Sequence, residues 1–380
     1  MSEIKVNSIK GVAASTAALT INNTDGTCTA NLTNRTNKNL ILNGAFMISQ
    51  RGTSSTDSGY GSVDRFRVQH GGTDEAPTQA QVDVASGTTP YTLGFRKALR
   101  ITNGNQTSGA GATDSIHFEY YAEAQDIANS GWNYTSASSY ITLSFWIKSS
   151  VAQNFQGRIR TRQGTSQNYA FETGSLSADT WTKITKTIPG NSNLQFDNDT
   201  AKNFQIDIYA FYGTDYTSSA VSLDTWAAYA SGTQVKDVTS TWYTTNDATL
   251  EITGVQLEVG SVATDFEHRS FAVEERLCKR YFKRFTKATH SQTPFIGHLT
   301  SGVGIIGHVF SEVMRDTPSV SQSNNFNIYT ASTNNVKTDL NIEAAPQGFR
   351  TLIQSMTGTN GHACQIDFET NTILDFSAEL

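Results

Sequence analysis

Arg158, Arg160 and Arg162 stand two residues apart in the stretch FQGRIRTRQ, a spacing that on a β-strand places three guanidinium groups on one face. Planar forks in a row could grip the phosphates or uronates of a polysaccharide. The same spacing also suits a solvated face, or ion pairs with a neighbouring strand or subunit. Flat rings are the second sugar-binding chemistry on offer. Trp132, Trp226 and Trp242, with Tyr134, Tyr229 and Tyr243, fall in expected loops, and Trp146 falls on the polar side of an expected strand. Exposed, such rings are stacking platforms; buried, they are core or inter-subunit material. The candidate ligand-binding set is therefore Arg158, Arg160, Arg162, Trp132, Trp226 and Trp242.

Catalytic chemistry finds less support. Glu119, Asp207, Glu251 and Glu258 could do acid/base work, but a glycan depolymerase needs two carboxylates across a cleft, and nothing in the sequence pairs any of them. They are expected to be solvated carboxylates on sheet faces, and no catalytic residue is assigned. His290, His298 and His308 match no zinc-ligand spacing, and Cys28, Cys278 and Cys364 lie far apart with no CxxC motif. Free thiols, no metal and no cofactor are expected. GVGIIG, from Gly302 to Gly307, has the GxGxxG spacing but lacks an acidic residue about 20 positions on, so a dinucleotide site is rejected.

The segments that must position these residues read as strands. SIHFEYYA directs Ile116, Phe118 and Tyr120 one way and His117, Glu119 and Tyr121 the other. YITLSFWIKSS alternates Ile141, Leu143, Phe145 and Ile147 with polar neighbours, and NFQIDIYAFYG repeats the pattern with Phe204, Ile206 and Ile208. Long helical stretches between them are missing, which favours an all-β, two-sheet sandwich whose polar faces are wet. In ITGVQLEVGSVATDFEHRS the apolar phase slips by one residue between Ile252 and Val255, the signature of a β-bulge at Gly254. Phe266 is expected to pack back on the sandwich. Ser270 is placed to cap one short helix, with Val273, Leu277 and Tyr281 as its packing face.

A chain of 380 residues with 37% hydrophobic content can hold more than one core. Charged residues reach only 16%, below the roughly 25% of ordinary domains, with Thr, Ser, Asn, Gln and Gly in their place. The net charge of −6 gives no field to recruit nucleic acid, and no apolar run approaches the roughly 18 residues of a membrane span. Neither nucleic-acid binding nor membrane insertion is expected. Four regions follow: residues 1–39, a weak segment with a hairpin signal at Asp25-Gly26; a sandwich over 40–270; a helical connector over 271–284; and a smaller β-domain over 285–380.

NLILNGAFMISQRG, VDRFRV, YITLSFWIKSS, TWTKITKTIPG, ITGVQLEVGSVATDFEHRS and EERLCKRYF occur in that order over about residues 40 to 284. As an ordered set they resemble a family of bacteriophage tail-fibre and virion-appendage proteins, and MSEIKVNSIK and the terminal SAEL resemble fibre proteins of marine phages. The resemblance implies a carbohydrate-binding-module-like jelly roll in a homotrimeric fibre, made in the host bacterial cytoplasm and exposed on the virion. It further implies attachment to the host through surface polysaccharide, and residues 1–39 as the link to other tail, neck or collar proteins. A tailspike-like depolymerase and a purely structural collar or decoration protein are the alternatives. Jelly rolls of this kind often carry Asp after the first Asn-Gly as part of a calcium site; Asn43-Gly44-Ala45 lacks that carboxylate.

Overall fold

The computed structural model describes residues 6, 8–9, 19–21, 28–30, 37–287, 295–330, 333–369 and 371–380. The alternating segments form two six-stranded antiparallel sheets. One, here the front sheet, runs Trp226–Ala228, Gln167–Ser175, Asn154–Arg160, Lys202–Tyr212, Ser115–Glu123, Phe66–Gly71. The back sheet runs Thr182–Pro189, Tyr140–Ser149, Thr249–Val259, Lys97–Thr102, Thr78–Asp83, Ser54–Ser55. Phe118, Ile159, Phe171 and Ile206 from the front meet Leu143, Phe145, Leu250 and Leu257 from the back in one buried cluster. Each such side chain contributes about 1.5–3 kcal/mol on leaving water. This is the expected all-β jelly-roll sandwich.

The phase slip at Gly254 is a bulge. Pairing between Thr249–Val259 and Tyr140–Ser149 shifts register between Thr253 and Gln256, and Gly254 has φ +63° with a would-be Cβ 2.5 Å from Phe95 Cζ. Only glycine satisfies both conditions cheaply. The strand lies inside its sheet, so the bulge does not turn a sheet edge. It exchanges partners instead. Residues 249–252 pair with Lys97–Thr102, whereas beyond the bulge Leu40 N–H donates to Leu257 O at 2.9 Å and Val255 N–H donates to Gly44 O at 2.9 Å.

The FEHRS segment fixes that exchange. Glu267 accepts hydrogen bonds from the N–H groups of Asn37 (2.5 Å) and Asn39 (2.8 Å), and Arg269 donates to the carbonyls of Ile41 (3.1 Å) and Asn39. Asn43, at φ +58°, donates its amide to Ile48 O (2.8 Å) and Asp64 O (2.9 Å) and accepts from Ile48 N–H (3.0 Å). Phe266 packs edge-on against Phe95, with centroids 4.9 Å apart, as expected.

Ser270 occupies the helix N-cap position, but its hydroxyl makes no capping bond. The helix, Phe271–Cys278, is shorter than the expected 271–284 because Phe282–Thr286 is a strand, paired with Ile373–Ser377. Its packing face differs in part: Tyr281 is buried as expected, but Cys278 is buried as well and Val273 is 39% exposed. From Phe282 onward the chain builds a three-stranded and a seven-stranded sheet around a second core that includes Phe285, Phe295, Ile328 and Phe376. Residues 303–307 of GVGIIG lie in the strand Val303–Val309, between two antiparallel partners, and Gly302 lies in the turn before it. Near the start, Ser8–Ile9, Leu19–Ile21 and Cys28–Ala30 form an antiparallel sheet. The Asp25-Gly26 turn lies outside the described residues.

Candidate functional site

The face of the front sheet turned away from the core is polar and ordered in cross-strand rows. In the central row Arg158 faces Asp207, Asp207 faces Glu119, and Glu119 faces Arg67. The row on one side sets Gln156, Tyr209, His117 and Gln69 abreast, and the row on the other sets Asn168, Arg160, Gln205 and Tyr121 abreast. Strand alternation dictates this, since the same strands send Phe118, Ile159 and Ile206 into the core.

Most of the face is covered, so the expectation of a wet face needs correction. Val235, with Tyr216, Val221 and Leu223, packs on Ala170, Tyr209 and Tyr212. Tyr209 stacks on Tyr212 and Tyr212 on Tyr216, with centroids 4.3 and 4.5 Å apart. Beneath this roof Asp207 is fully buried. It accepts from Arg158 Nε (2.5 Å), from Gln205 Nε2 (2.9 Å to each oxygen) and from Tyr209 O–H (3.1 Å). Glu119 lies 3.5 Å from both Arg67 and His117 Nε2. Burial raises its pKa, but the His117 bond and the charges of His117 and Arg67 outweigh it and hold the carboxyl well below its usual range. His117, Glu119 and Asp207 are the one group of potential metal ligands among the described residues, with donor atoms within 4.8 Å of one another. Guanidinium groups already neutralise both carboxylates, so the set is an ion-paired row and not an evident cation site.

The sequence-predicted residues separate under this geometry. Arg158 belongs to the buried row: it is 4% exposed, tied to Asp207 and to Gln234 Oε1, and therefore cannot meet a ligand. Arg160 is half-buried, with its guanidinium carbon 3.4 Å from the Tyr229 ring centroid and Nε donating to Ser166 Oγ at 3.1 Å. Arg162 lies past the strand end and folds back, its Nη2 donating to Tyr121 O–H at 3.0 Å and to Gln205 Oε1 at 2.6 Å. Trp132 and Trp242 are corrected to core residues. They are 3% and 0% exposed, with indole N–H groups donating to Ser139 O and Thr249 O, because loops at the sandwich ends close its core with them. Trp226 stands on the edge strand of the front sheet, 5.3 Å from Tyr169 and bonded to Pro189 O at 2.7 Å.

The other candidate groups also have structural partners. Glu251 is buried between Arg100 (2.7 Å) and Lys148 (3.1 Å), and Glu258 accepts from Thr264 N–H (2.8 Å) and Oγ1 (2.6 Å). Both were expected to be solvated. The ring of His308 packs on Phe295 at 4.8 Å, and His298 is exposed on the seven-stranded sheet. His290 lies outside the described residues. Cys278 and Cys364 are buried free thiols.

Sequence reasoning missed Lys202. Counting back from Ile206 and Phe204 assigns it to the core face, but the register slips between Lys202 and Phe204. The ammonium group thereby reaches the polar face, 5.1 Å from the Tyr121 ring centroid. Arg67 was legible in VDRFRV, where it alternates with Phe66 and Val68.

No protein-family model matches the sequence, and no curated protein matches it. Among solved structures, the chain is similar to the enzymatically active domain of tailspike protein 4 of bacteriophage CBA120. Identity is 11% and the TM-score 0.30, over 58% of this chain and about a fifth (21%) of that one. It is also similar to the N-terminal cellulose-binding domain of Cellulomonas fimi β-1,4-glucanase C, with 12% identity and a TM-score of 0.27 over 57% of this chain and 99% of that one. A third similarity is to the family 11 carbohydrate-binding module of Clostridium thermocellum, with 11% identity and a TM-score of 0.24 over 57% and 98% of the two chains. At these values the three likenesses carry no conclusion about this chain.

Proposed function

We propose that the protein is a non-catalytic virion appendage, a bacteriophage tail fibre or its equivalent, that attaches to the host by binding surface polysaccharide through the front sheet. The observation that carries this is the polar rim of that sheet, where Arg160, Arg162 and Lys202 reach solvent beside the rings of Tyr121 and Tyr229. The ordered motifs from NLILNGAF to EERLCKRYF support the phage assignment. Absence of turnover is supported by the carboxylates: Asp207 is enclosed by donors and Glu119 is held ionised, so neither is disposed to act as a general acid. A homotrimer is supported by apolar side chains on the seven-stranded sheet, Ile296 (60% exposed) and Val336 (53%), which a partner copy would cover. Residues 1–39 are assigned to virion attachment.

The deciding experiment measures binding of the purified chain to envelope polysaccharide from a susceptible host, together with competition of that polysaccharide against phage adsorption. Saturable binding, with no release of reducing ends, is expected. Steady release of oligosaccharides would favour a depolymerase, and no binding to any envelope fraction would favour a purely structural role.

A further inference from the structure

We propose that Arg160, Arg162 and Lys202, with Arg67 behind them, form a subsite for the anionic groups of an acidic polysaccharide, whether carboxylate or sulfate. This rests on the glycan-binding reading above and narrows it to one ligand class.

Like charges are crowded here without acids to match them. The guanidinium carbons of Arg162 and Arg67 and the ammonium nitrogen of Lys202 lie 5.3, 6.0 and 5.1 Å from the centroid of one ring, Tyr121. Glu119 serves that group, but it is already paired with Arg67 and His117. Arg160, Arg162 and Lys202 have no carboxylate partner among the described residues. Asp199, on the neighbouring loop, accepts from the Gln163 amide instead of from an arginine.

The arginines are held by neutral partners along one edge only. Ser166 engages Arg160 through Nε, and Gln205 and Tyr121 engage Arg162 through Nε and Nη2. Both Nη atoms of Arg160 and Nη1 of Arg162 remain as donors, pre-oriented by stacking and hydrogen bonds. Burial and then mutual repulsion lower the pKa values of Arg160 and Lys202, with Arg162 the first charge acting on each. An anion entering between them relieves that repulsion and receives charge-assisted hydrogen bonds. The net charge of −6 repels polyanions from the chain as a whole, so affinity for one must come from a local site.

The test is affinity electrophoresis of the full chain through gels holding polygalacturonate, dextran sulfate or unmodified dextran. Retention by one or both polyanions, weakened about tenfold or more between 50 and 500 mM salt, is expected. Lys202→Glu alters an exposed residue and should reduce that retention about tenfold, as should Arg162→Ala; unchanged melting curves would show that both variants fold. Retention by dextran alone would overturn the acidic-ligand inference while leaving glycan binding in place. Polyanion retention untouched by both variants would overturn the assigned subsite. Failure to bind the host envelope polysaccharide as well as all three gels would remove the glycan-binding reading itself.

Discussion

Glu379→Ala should be among the most damaging single changes in the molecule, although residue 379 belongs to no catalytic constellation and is not one of the proposed ligand-binding residues. Arg65, in the sandwich, is fully buried; its Nη1 pairs with Glu379, its Nη2 donates to Tyr121 O at 2.7 Å, and its guanidinium carbon sits 3.5 Å from the Tyr281 ring centroid. The Glu379 side chain, 5% exposed, also lies 3.3 Å from Arg51. Removing one partner of a buried pair leaves the other charge unneutralised and costs about 3–5 kcal/mol. At roughly 2–4 °C per kcal/mol for a domain of this size, the melting temperature should fall by about 6–20 °C. Differential scanning calorimetry reads this directly. Glu379→Gln, which keeps the size and one acceptor, should fall at the lower end of that range. Pairing Arg65→Met with Glu379→Leu should recover most of the loss, because the buried Arg65 charge is removed with its partner while Arg51 keeps Asp64 at 3.8 Å. A drop under about 2 °C for Glu379→Ala would refute the reasoning, and failure of the double variant to recover would assign the cost to packing.

Three further outcomes are expected. Asp64 is fully buried and burial raises its pKa from 3.8 to about 6, so its charge is a cost present above pH 6 and relieved as pH falls toward 3.8. The stability of Asp64→Asn relative to the parent should accordingly rise by up to about 3 kcal/mol between pH 4 and pH 7 in urea titrations; a gap that narrows over this range would contradict the sign. Gly254→Ala must place a methyl 2.5 Å from Phe95 Cζ at φ +63°, and should cost about 2–4 kcal/mol by thermal melting. Trp242→Ala should cost about 3–5 kcal/mol and leave the glycan affinity of the surviving folded fraction unchanged, as measured by calorimetric titration below its melting point. Selective loss of binding with normal stability would return that ring to the ligand site.

The legible parts of this molecule were those set by period. Alternation over SIHFEYYA, YITLSFWIKSS and NFQIDIYAFYG assigned Phe118, Phe145 and Ile206 to the core, where they lie. The slipped phase at Ile252 and Val255 located the bulge, because an extra residue must show in a pattern of period two. Period cannot report what covers the second face of a sheet. The roof over Tyr209 and Asp207 comes from an irregular segment containing Tyr216 and Val235, so Arg158 looked as exposed as Arg160 although it lies beneath that segment. Lys202 failed for a related reason: its strand bulges at its first residues, where too few apolar positions remain for a phase to be seen. The tryptophans were ambiguous from the start, since a loop at the end of a sandwich can close the core as readily as face solvent.

The motifs that carry the phage resemblance are mostly joints of the frame. Glu267 and Arg269 of FEHRS hold the backbone of residues 37–41, the Asn39 side chain accepts from the N–H groups of Ile41 and Leu257 at 3.0 Å each, and Gly44 admits Val255 O so closely that a Cβ would lie 2.1 Å from it. EERLCKRYF supplies Arg280, bidentate to Glu123 at 2.9 Å, and Tyr281, whose O–H reaches the same carboxylate at 2.6 Å. Arg160, Arg162, Lys202 and Tyr229 belong to none of these motifs. Their side chains rest on neutral partners and on one another, so replacing them leaves no buried charge or open cavity behind. A frame that closes through its own ties, with a binding rim that carries little of the stability, lets the rim change its ligand without endangering the fold. The proposed attachment role would draw on that independence, which predicts that substitutions at Arg160, Arg162 and Lys202 alter binding far more than melting temperature.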